Sequence, residues 1–175
     1  MSARPDILCI GSVLWDVIGR CAAPMGAGAD RPGRIERLPG GVALNVAATL
    51  RRFDLTPALL TVVGDDPDGR DLLAECGRMG LVTEHVLVDP ALPTDRYMAI
   101  EGAGELVAAI ADAHSLERAG PRILAPLTDG RLGSAGAPYG GAMVLDGNLT
   151  EALLAEIAAS PAFAAADLRL VPASP

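Results

Sequence analysis

Residues 39–47 read Pro-Gly-Gly-Val-Ala-Leu-Asn-Val-Ala, which is typical of a turn that leads into a helix. Gly40 and Gly41 let the backbone come close to a ligand, and free amides at the start of a helix can meet hydroxyl or anionic oxygens. Asn45, one turn further on, offers both a donor and an acceptor. These residues alone leave two interpretations open: a ligand-binding turn, or a plain glycine-rich turn with Asn45 as a local cap.

Three helices are predicted from apolar spacing and capping residues. After Gly41, apolar residues recur at helical intervals with Arg51 and Arg52 on the other side; they are Ala43, Val46, Ala47, Leu50 and Phe53. Asp66-Pro67-Asp68 supplies an N-cap, a first-turn proline and an acid for the helix dipole, so a helix is predicted from there to Gly80. A third helix should begin at Thr150 and stop before Pro161, with inner residues Leu153, Leu154 and Ile157.

Four short apolar runs alternate with these helices. Such runs are typical of parallel strands buried on both faces, and they are Ile7–Ile10, Leu59–Val63, Ala142–Leu145 and Leu168–Val171. The segments Val17–Pro39 and Arg96–Ala111 interrupt the alternation and are predicted to be insertions, the second a hairpin around residues 102–104. Residues 125–141 are predicted to form a loop. The pattern indicates an α/β fold.

Composition excludes several classes of protein. The chain has 175 residues and 50% hydrophobic content, enough for one globular domain, while a net charge of −8 argues against binding nucleic acid or an anionic membrane surface. No apolar stretch approaches the roughly 20 residues that span a membrane. All 14 basic residues are arginine, which excludes a Walker-A lysine.

The metal-ligating and thiol residues form no recognisable pattern. Cys9, Cys21 and Cys76 are odd in number and lack Cys-x-x-Cys spacing, which favours a reducing, cytoplasmic location over a disulfide framework. His85 and His114 have no neighbouring ligands. No metal site is therefore predicted.

The double glycine with Asn45, followed later by Val63–Gly69 (Val-Gly-Asp-Asp-Pro-Asp-Gly), resembles the first signature of the ribokinase (PfkB) carbohydrate kinase family. In that family the first strand leads to an aspartate, which Asp16 matches here. The resemblance implies that Asp16, Gly40, Gly41 and Asn45 hold ribose hydroxyls, because a carboxylate accepts from a diol and an amide can bridge it.

The second insertion narrows the resemblance. Ribose kinases of this family carry Gly-Glu-Asn and Gly-Ala-Asn there, whereas this chain has Gly104–His114, with Glu-Leu-Val following the first glycine. Together with Thr94, Tyr97 and Val144–Leu149, this segment looks more like the pseudouridine kinase branch. Asn148 is then a candidate for nucleoside contact at a strand end. Tyr97 and Asp112 are further candidates, with a lid tyrosine and an exposed acid as the alternative interpretations.

The resemblance implies a ribokinase-like three-layer αβα core with a parallel central sheet and a small β lid, made from segments 17–39 and 96–111 of one domain spanning 1–175. It also implies ATP and Mg²⁺ for the full-length enzyme. The family's catalytic Gly-Ala-Gly-Asp has no proper match: Gly26–Asp30 reads Gly-Ala-Gly-Ala-Asp, precedes the double glycine and opens no apolar helix. We therefore expect the chain to stop before the nucleotide-binding half and to be inactive alone.

Several alternatives remain on the sequence. Another sugar or nucleoside kinase of the same family would share most of these residues, and a non-catalytic ligand-binding half-domain would need no catalytic aspartate. A dinucleotide-dependent oxidoreductase is disfavoured because no Gly-x-Gly-x-x-Gly follows the first strand. Lid strands in this family often pair across a two-fold axis, so a homodimer through the lid is a further expectation.

Overall fold

The computed structural model describes residues 5–172; the ends of the predicted domain, residues 1–4 and 173–175, lie outside the described residues. Within that range the strands are β1 (Ile7–Ile10), β2 (Leu14–Cys21), β3 (Arg34–Gly40), β4 (Pro57–Leu60), β5 (Val62–Gly64), β6 (Leu87–Asp89), β7 (Arg96–Gly102), β8 (Glu105–Asp112), β9 (Ala142–Asp146) and β10 (Asp167–Val171). The α-helices are α1 (Val42–Arg51), α2 (Pro67–Arg78), α3 (Ser115–Ala119) and α4 (Glu151–Ala159), and 3-10 helices cover Gly120–Leu127 and Pro161–Phe163.

The central sheet is parallel throughout, in the order β10-β9-β1-β4. Cys9 of β1 lies between Leu59 of β4 and Val144 of β9. Both faces of a parallel sheet are normally buried under helices, and the continuous apolar runs of these strands suit burial on both faces. The predicted parallel α/β architecture is confirmed.

Helices cover both faces of this sheet and make three layers. Cys9 faces α1 and α2 in one apolar cluster that includes Leu44 and Leu72. Leu8 and Ile10, which alternate with Cys9, face the opposite cluster; its helical members include Leu116, Ile123, Leu153 and Ile157. The core is therefore split by the sheet into two apolar layers.

The helix predictions are confirmed with small differences. Asp66 caps α2 by accepting a hydrogen bond from the Gly69 amide at 2.7 Å, and Thr150 caps α4. The prediction that Phe53 lies on the inner face of α1 is wrong. The helix ends at Arg51, and the Phe53 side chain is 73% exposed.

Two strand predictions need correction. The run Leu59–Val63 is divided at Thr61, so that β4 pairs with β1 while β5 pairs with β6. The run Leu168–Val171 forms most of β10, but that strand is the edge of the central sheet and is largely exposed instead of buried on both faces. Leu170 is 57% exposed because the helical cover of the sheet does not reach it.

Four strands form a second sheet, which we call the lid sheet, in the order β3-β2-β7-β8. Its central pair is parallel and its two outer pairs are antiparallel. The predicted hairpin is present: β7 and β8 are joined by Ala103 and Gly104, with φ values of 53° and 83°. β2 begins at Leu14, earlier than the predicted insertion at Val17, because its first residues already pair with β3 and β7.

Candidate active site

A cleft of about 540 Å³ lies where the carboxyl ends of β1 and β9 meet the lid sheet and the start of α1. Its polar lining comes from both sheets and consists of Ser12, Asp16, Asn45, Asp95, Tyr97, Glu117, Asn148 and Thr150. Ligands of open α/β sheets bind at the carboxyl ends of parallel strands, which is where this cleft lies.

The cleft collects five of the six predicted site residues. Asp16, Gly41, Asn45, Tyr97 and Asn148 all line it. Asp16 and Tyr97 are paired in register on adjacent strands of the lid sheet, so their side chains share a face. Their roles in binding stay a prediction.

Gly40, the sixth predicted residue, does not line the cleft but makes room for Asp16. A Cβ at Gly40 would stand 2.0 Å from Asp16 Oδ2, and a Cβ at Gly41 would stand 2.4 Å from the Ser12 carbonyl oxygen. Gly41 also has a φ of 97°, which favours glycine. The double glycine therefore lets the turn before α1 pack against both the acid and the end of β1.

Asp112 does not belong to the cleft. Ala111 and Ala113 contribute to its lining, whereas Asp112 lies between them and is exposed. Successive residues of a strand point to opposite faces, which places the Asp112 side chain on the far side of β8.

Asp146, at the end of β9, organises the floor of the cleft, and sequence reasoning missed it. This carboxylate is 1% exposed. One oxygen accepts from the Ser12 amide at 2.8 Å and the Ser12 hydroxyl at 2.5 Å, and the other accepts from the Asn148 amide at 2.7 Å and Asn148 Nδ2 at 2.9 Å. The Ser12 hydroxyl oxygen in turn accepts from the Val42 amide at 2.9 Å. One buried acid thus ties together β1, β9 and α1.

The signal for Asp146 was its position, an acid ending an apolar strand two residues before Asn148. That spacing is typical of a side chain that accepts from the backbone two residues on. It could have identified the turn, but not the contact with Ser12, which is 134 residues away in sequence.

The electrostatics of the cleft are acidic. Asp16, Asp95 and Glu117 line it, and the lining contains no arginine or histidine. Burial raises the pKa of Asp16 above its ordinary value. Asp16 also accepts no side-chain hydrogen bond within residues 5–172, so its oxygens are available to hydroxyl donors.

A cluster around Asp68 attaches the lid sheet to α2. Asp68 accepts from Arg37 of β3 at 2.7 Å and from Arg96 of β7 at 2.5 Å. The buried Trp15 donates its indole N–H to the Asp68 carbonyl at 2.9 Å, and the Arg37 guanidinium lies 3.9 Å from the Trp15 ring centre. Because Trp15 precedes Asp16, this cluster fixes the strand that carries the predicted ligand-binding acid.

The other sequence candidates contribute nothing to the cleft. Gly26–Asp30 lies between β2 and β3 and starts no helix. His85 is buried, and burial lowers its pKa; His114 precedes α3. Within residues 5–172, no three His, Cys, Asp or Glu side chains are grouped so that they could hold a metal ion. In the same range no helix has the length and apolar character to cross a membrane.

Fold and cleft together define an α/β protein of the ribokinase-like class, with a substrate-sized cleft between a parallel sheet and a β lid. Residues 4–175 match the sequence profile described as pfkB family carbohydrate kinase, and the chain belongs to that family.

Two curated relatives from Escherichia coli strain K12 are similar to this chain. One is pseudouridine kinase, 31% identical over 113 residues, a match that covers 64% of this chain and 36% of the relative. The other is the uncharacterized sugar kinase YeiI, 33% identical over 116 residues, covering 66% of this chain and 32% of the relative. The matches thus span about a third of each curated relative.

A solved structure with the same fold is ribokinase from Arabidopsis thaliana complexed with ribose and ATP. The TM-score is 0.72 at 18% identity, over 96% of this chain and 53% of the ribokinase. The chain therefore corresponds to about half of that enzyme.

Proposed function

We propose that this chain forms the substrate-binding portion of an ATP-dependent kinase that phosphorylates a hydroxyl of a nucleoside or sugar, with pseudouridine as the preferred substrate and pseudouridine 5′-phosphate as the product. The observation that carries the proposal is the convergence of Asp16, Gly41 and Asn45 on one cleft at the carboxyl ends of the parallel strands. The similarity to pseudouridine kinase supports the choice of substrate.

Asp16 and Asn45 would orient the sugar. The Asp16 carboxylate accepts hydrogen bonds from two adjacent hydroxyls, while the Asn45 amide donates to one oxygen and accepts from another. Buried hydrogen bonds to a charged group are stronger than those between neutral groups. The sugar is thus held in one orientation, with its reacting hydroxyl directed to where a phosphate donor would bind.

Asn148 and Tyr97 would bind the remainder of a nucleoside. Asp146 holds the Asn148 Nδ2 group at 2.9 Å, which leaves the Asn148 carbonyl oxygen and the second N–H of that amide for a ligand. Tyr97, half-buried beside Asp16, adds an aromatic face and a hydroxyl to the lid side. A base attached to the sugar would lie between these two side chains.

The described residues do not fit a magnesium–ATP site. The cleft lining contains three carboxylates and no cationic side chain, so a triphosphate would be repelled there. We therefore assign ATP and Mg²⁺ to the full-length kinase and propose that this chain supplies substrate positioning without phosphoryl transfer.

Calorimetric titration of the 175-residue chain with pseudouridine, uridine and ribose tests the binding part of the proposal. Asp16→Asn should weaken binding of every ligand by at least about tenfold, because it replaces a charged acceptor. Asp112→Asn is the matched control, an exposed acid on the same sheet, and should change nothing. Absence of binding by the unmodified chain would overturn the proposal.

An ATP turnover assay on the same samples separates the two functional classes. Binding without turnover is expected of a substrate-positioning portion and equally of a non-catalytic ligand-binding half-domain. The half-domain is the second candidate, because the charged residues of the cleft lining are all acidic. Turnover obtained when a nucleotide-binding half from a kinase of the same family is added would select the kinase. Turnover by the chain alone would contradict our assignment of catalysis to other residues.

We also propose that the lid sheet mediates a homodimer. Its face opposite the cleft exposes a row of large apolar side chains: Ile35, Met98, Ile100 and Ile110, with exposures of 80, 50, 39 and 69%. Contiguous apolar surface of this kind, next to open strand edges, favours association. Sedimentation equilibrium should give a dimer that Ile110→Asp converts to a monomer; a monomeric unmodified chain would exclude this interface.

A further inference from the structure

Asp95 is a cleft residue to which the sugar-binding scheme gives no role. It immediately precedes β7, and its side chain is 8% exposed while still contributing to the lining of the cleft. Tyr97 is two residues further on, so Asp95 and Tyr97 lie on the same face of the lid sheet. Because Tyr97 pairs with Asp16, Asp95 is placed diagonally from the sugar-binding acid.

The Asp95 carboxylate has no cationic partner within residues 5–172. Its oxygens accept from the Ser115 amide, at 3.1 and 3.3 Å, and from the Leu116 amide, both at the start of α3. In the described part of the chain, the two other buried acids are stabilised differently: Asp89 is paired with Arg122, and Asp146, which has no cationic partner, accepts four hydrogen bonds from Ser12 and Asn148. Burying a carboxylate without a counter-charge is costly, and acids kept in that condition are concentrated at functional sites.

The backbone around Asp95 is held rigidly. The Thr94 amide and hydroxyl both donate to Asp66, at 2.8 and 2.7 Å, and the Ser115 hydroxyl donates to the Pro93 carbonyl at 2.7 Å. The Trp15 amide donates to the Asp95 carbonyl at 3.1 Å. A carboxylate has about four acceptor positions, and such a fixed one can bind a ligand donor without first being ordered.

We infer that Asp95 is a specificity-determining residue that accepts hydrogen bonds from N–H groups of a base attached to the sugar, which makes the cleft selective for nucleosides over free sugars. This inference rests on the proposed function. Burial also raises the pKa of Asp95, with the hydrogen bonds from Ser115 acting in the opposite direction. The chemistry fits pseudouridine, whose carbon-linked base carries two ring N–H groups, one more than uridine.

Titrations with pseudouridine and with ribose test the inference on Asp95→Asn. Asparagine keeps an oxygen that can accept from the Ser115 amide, so the fold should survive, but it loses the charged acceptor. We expect at least about tenfold weaker binding of pseudouridine and less than twofold change for ribose. A purely structural role for Asp95 would weaken both ligands alike. Asp112→Asn is the matched control, an exposed acid of β8 that does not line the cleft, and should leave the ratio unchanged.

Methylated ligands test the contact without depending on one variant. For the unmodified chain, 1-methyl- or 3-methylpseudouridine should bind at least about tenfold more weakly than pseudouridine. The losses from that methylation and from Asp95→Asn should not add, because both remove the same bond. Additive losses, or equal binding of pseudouridine by the chain and its Asp95→Asn variant, would overturn the inference alone. Failure of the unmodified chain to bind either ligand would overturn the proposed function as well.

Discussion

The two sheets of this protein meet at one cleft but are built on different principles. In the central sheet, β1 and β4 are almost entirely buried, and alternate residues such as Cys9 and Ile10 serve two separate apolar layers. In the lid sheet, every residue of β8 is exposed. One sheet is the scaffold, and the other is a cover joined to it through contacts such as those of Asp68.

This difference extends to the polar groups of the cleft. On the side of the central sheet, Asp146 uses its oxygens to bind Ser12 and Asn148, so its hydrogen bonds hold the protein together. On the lid side, Asp16 accepts no hydrogen bond from another side chain within residues 5–172, and Asp95 lines the cleft while accepting from the start of α3. The central sheet therefore fixes the shape of the cleft, while the lid side contributes acids whose oxygens face it.

The largest expected difference between the sheets is in how much the free energy of unfolding falls when a leucine is replaced by alanine. Leu59→Ala, at a fully buried position of β4, should lower the free energy of unfolding by about 3 kcal/mol, through lost burial and the remaining cavity. Leu106→Ala, at a 62% exposed position of β8, should stay within about 0.5 kcal/mol. Urea unfolding measures both, and similar losses would mean that the lid sheet is part of the cooperative core.

The same contrast explains how much of the fold the sequence predicts. Strands such as β1 and β9 need a continuous apolar run, and α2 needs a cap and an apolar stripe, so local residues suffice. The division at Thr61 is invisible locally, because it depends on which sheet each half joins. The helices of residues 115–127 were missed since Gly120, Pro121 and Pro126 indicate a loop, whereas a 3-10 helix accommodates them.

Next in size is Asp146→Ala, which should lower the free energy of unfolding by about 2 kcal/mol. Four donors from Ser12 and Asn148 lose their buried acceptor, and each unsatisfied buried group is costly. Ligand binding should weaken as well, because Asn148 is no longer held. Asp112→Ala, an exposed acid, serves as the control in the same unfolding experiment; equal stability of the two variants would show that water replaces the Asp146 bonds.

The site was predictable only where its residues form a local motif. Asp16, Gly41 and Asn45 were proposed because the double glycine and the acid after the first strand resemble the first signature of the PfkB family, and all three line the cleft. Asp95 and Asp146 act through partners distant in sequence, Ser115 and Ser12, and a single sequence gives no pairing information for such contacts. Tertiary hydrogen bonds account for most of what sequence reasoning missed.

Asp68→Asn should have a smaller effect on stability, below about 1 kcal/mol, because its arginine partners are partly exposed and such ion pairs contribute little. The expected change is in the lid: amide hydrogen exchange of β3 and β7 should quicken while β1 is unaffected, since the link to α2 is weakened. Asp65→Asn, which removes a surface pair with Arg70 on the same helix, is the matched control. Unchanged exchange in β3 and β7 would show that the Trp15 hydrogen bond and the Arg37–Asp71 pair are enough to attach the lid.

The smallest expected effect is a pH dependence of opposite sign for two acids. Burial raises the pKa of Asp16, so the folded state holds the proton of this carboxyl more tightly than the unfolded state does. The contribution of Asp16 to the stability of the protein is therefore lost as the pH rises above its ordinary pKa of 3.8. Burial acts on Asp66 too, but hydrogen bonds from Thr94 and Gly69 outweigh it and lower the pKa, so its contribution is present above 3.8 and is lost as pH falls toward the lowered pKa. We therefore compare each variant with the unmodified chain as the pH is raised from 3 to 7. The free energy of unfolding of Asp16→Asn should rise relative to that of the unmodified chain, and that of Asp66→Asn should fall. Urea unfolding of the three proteins at both pH values measures the differences, and changes of the same sign would show that the lid acid is stabilised by contacts like those of the acid that caps α2.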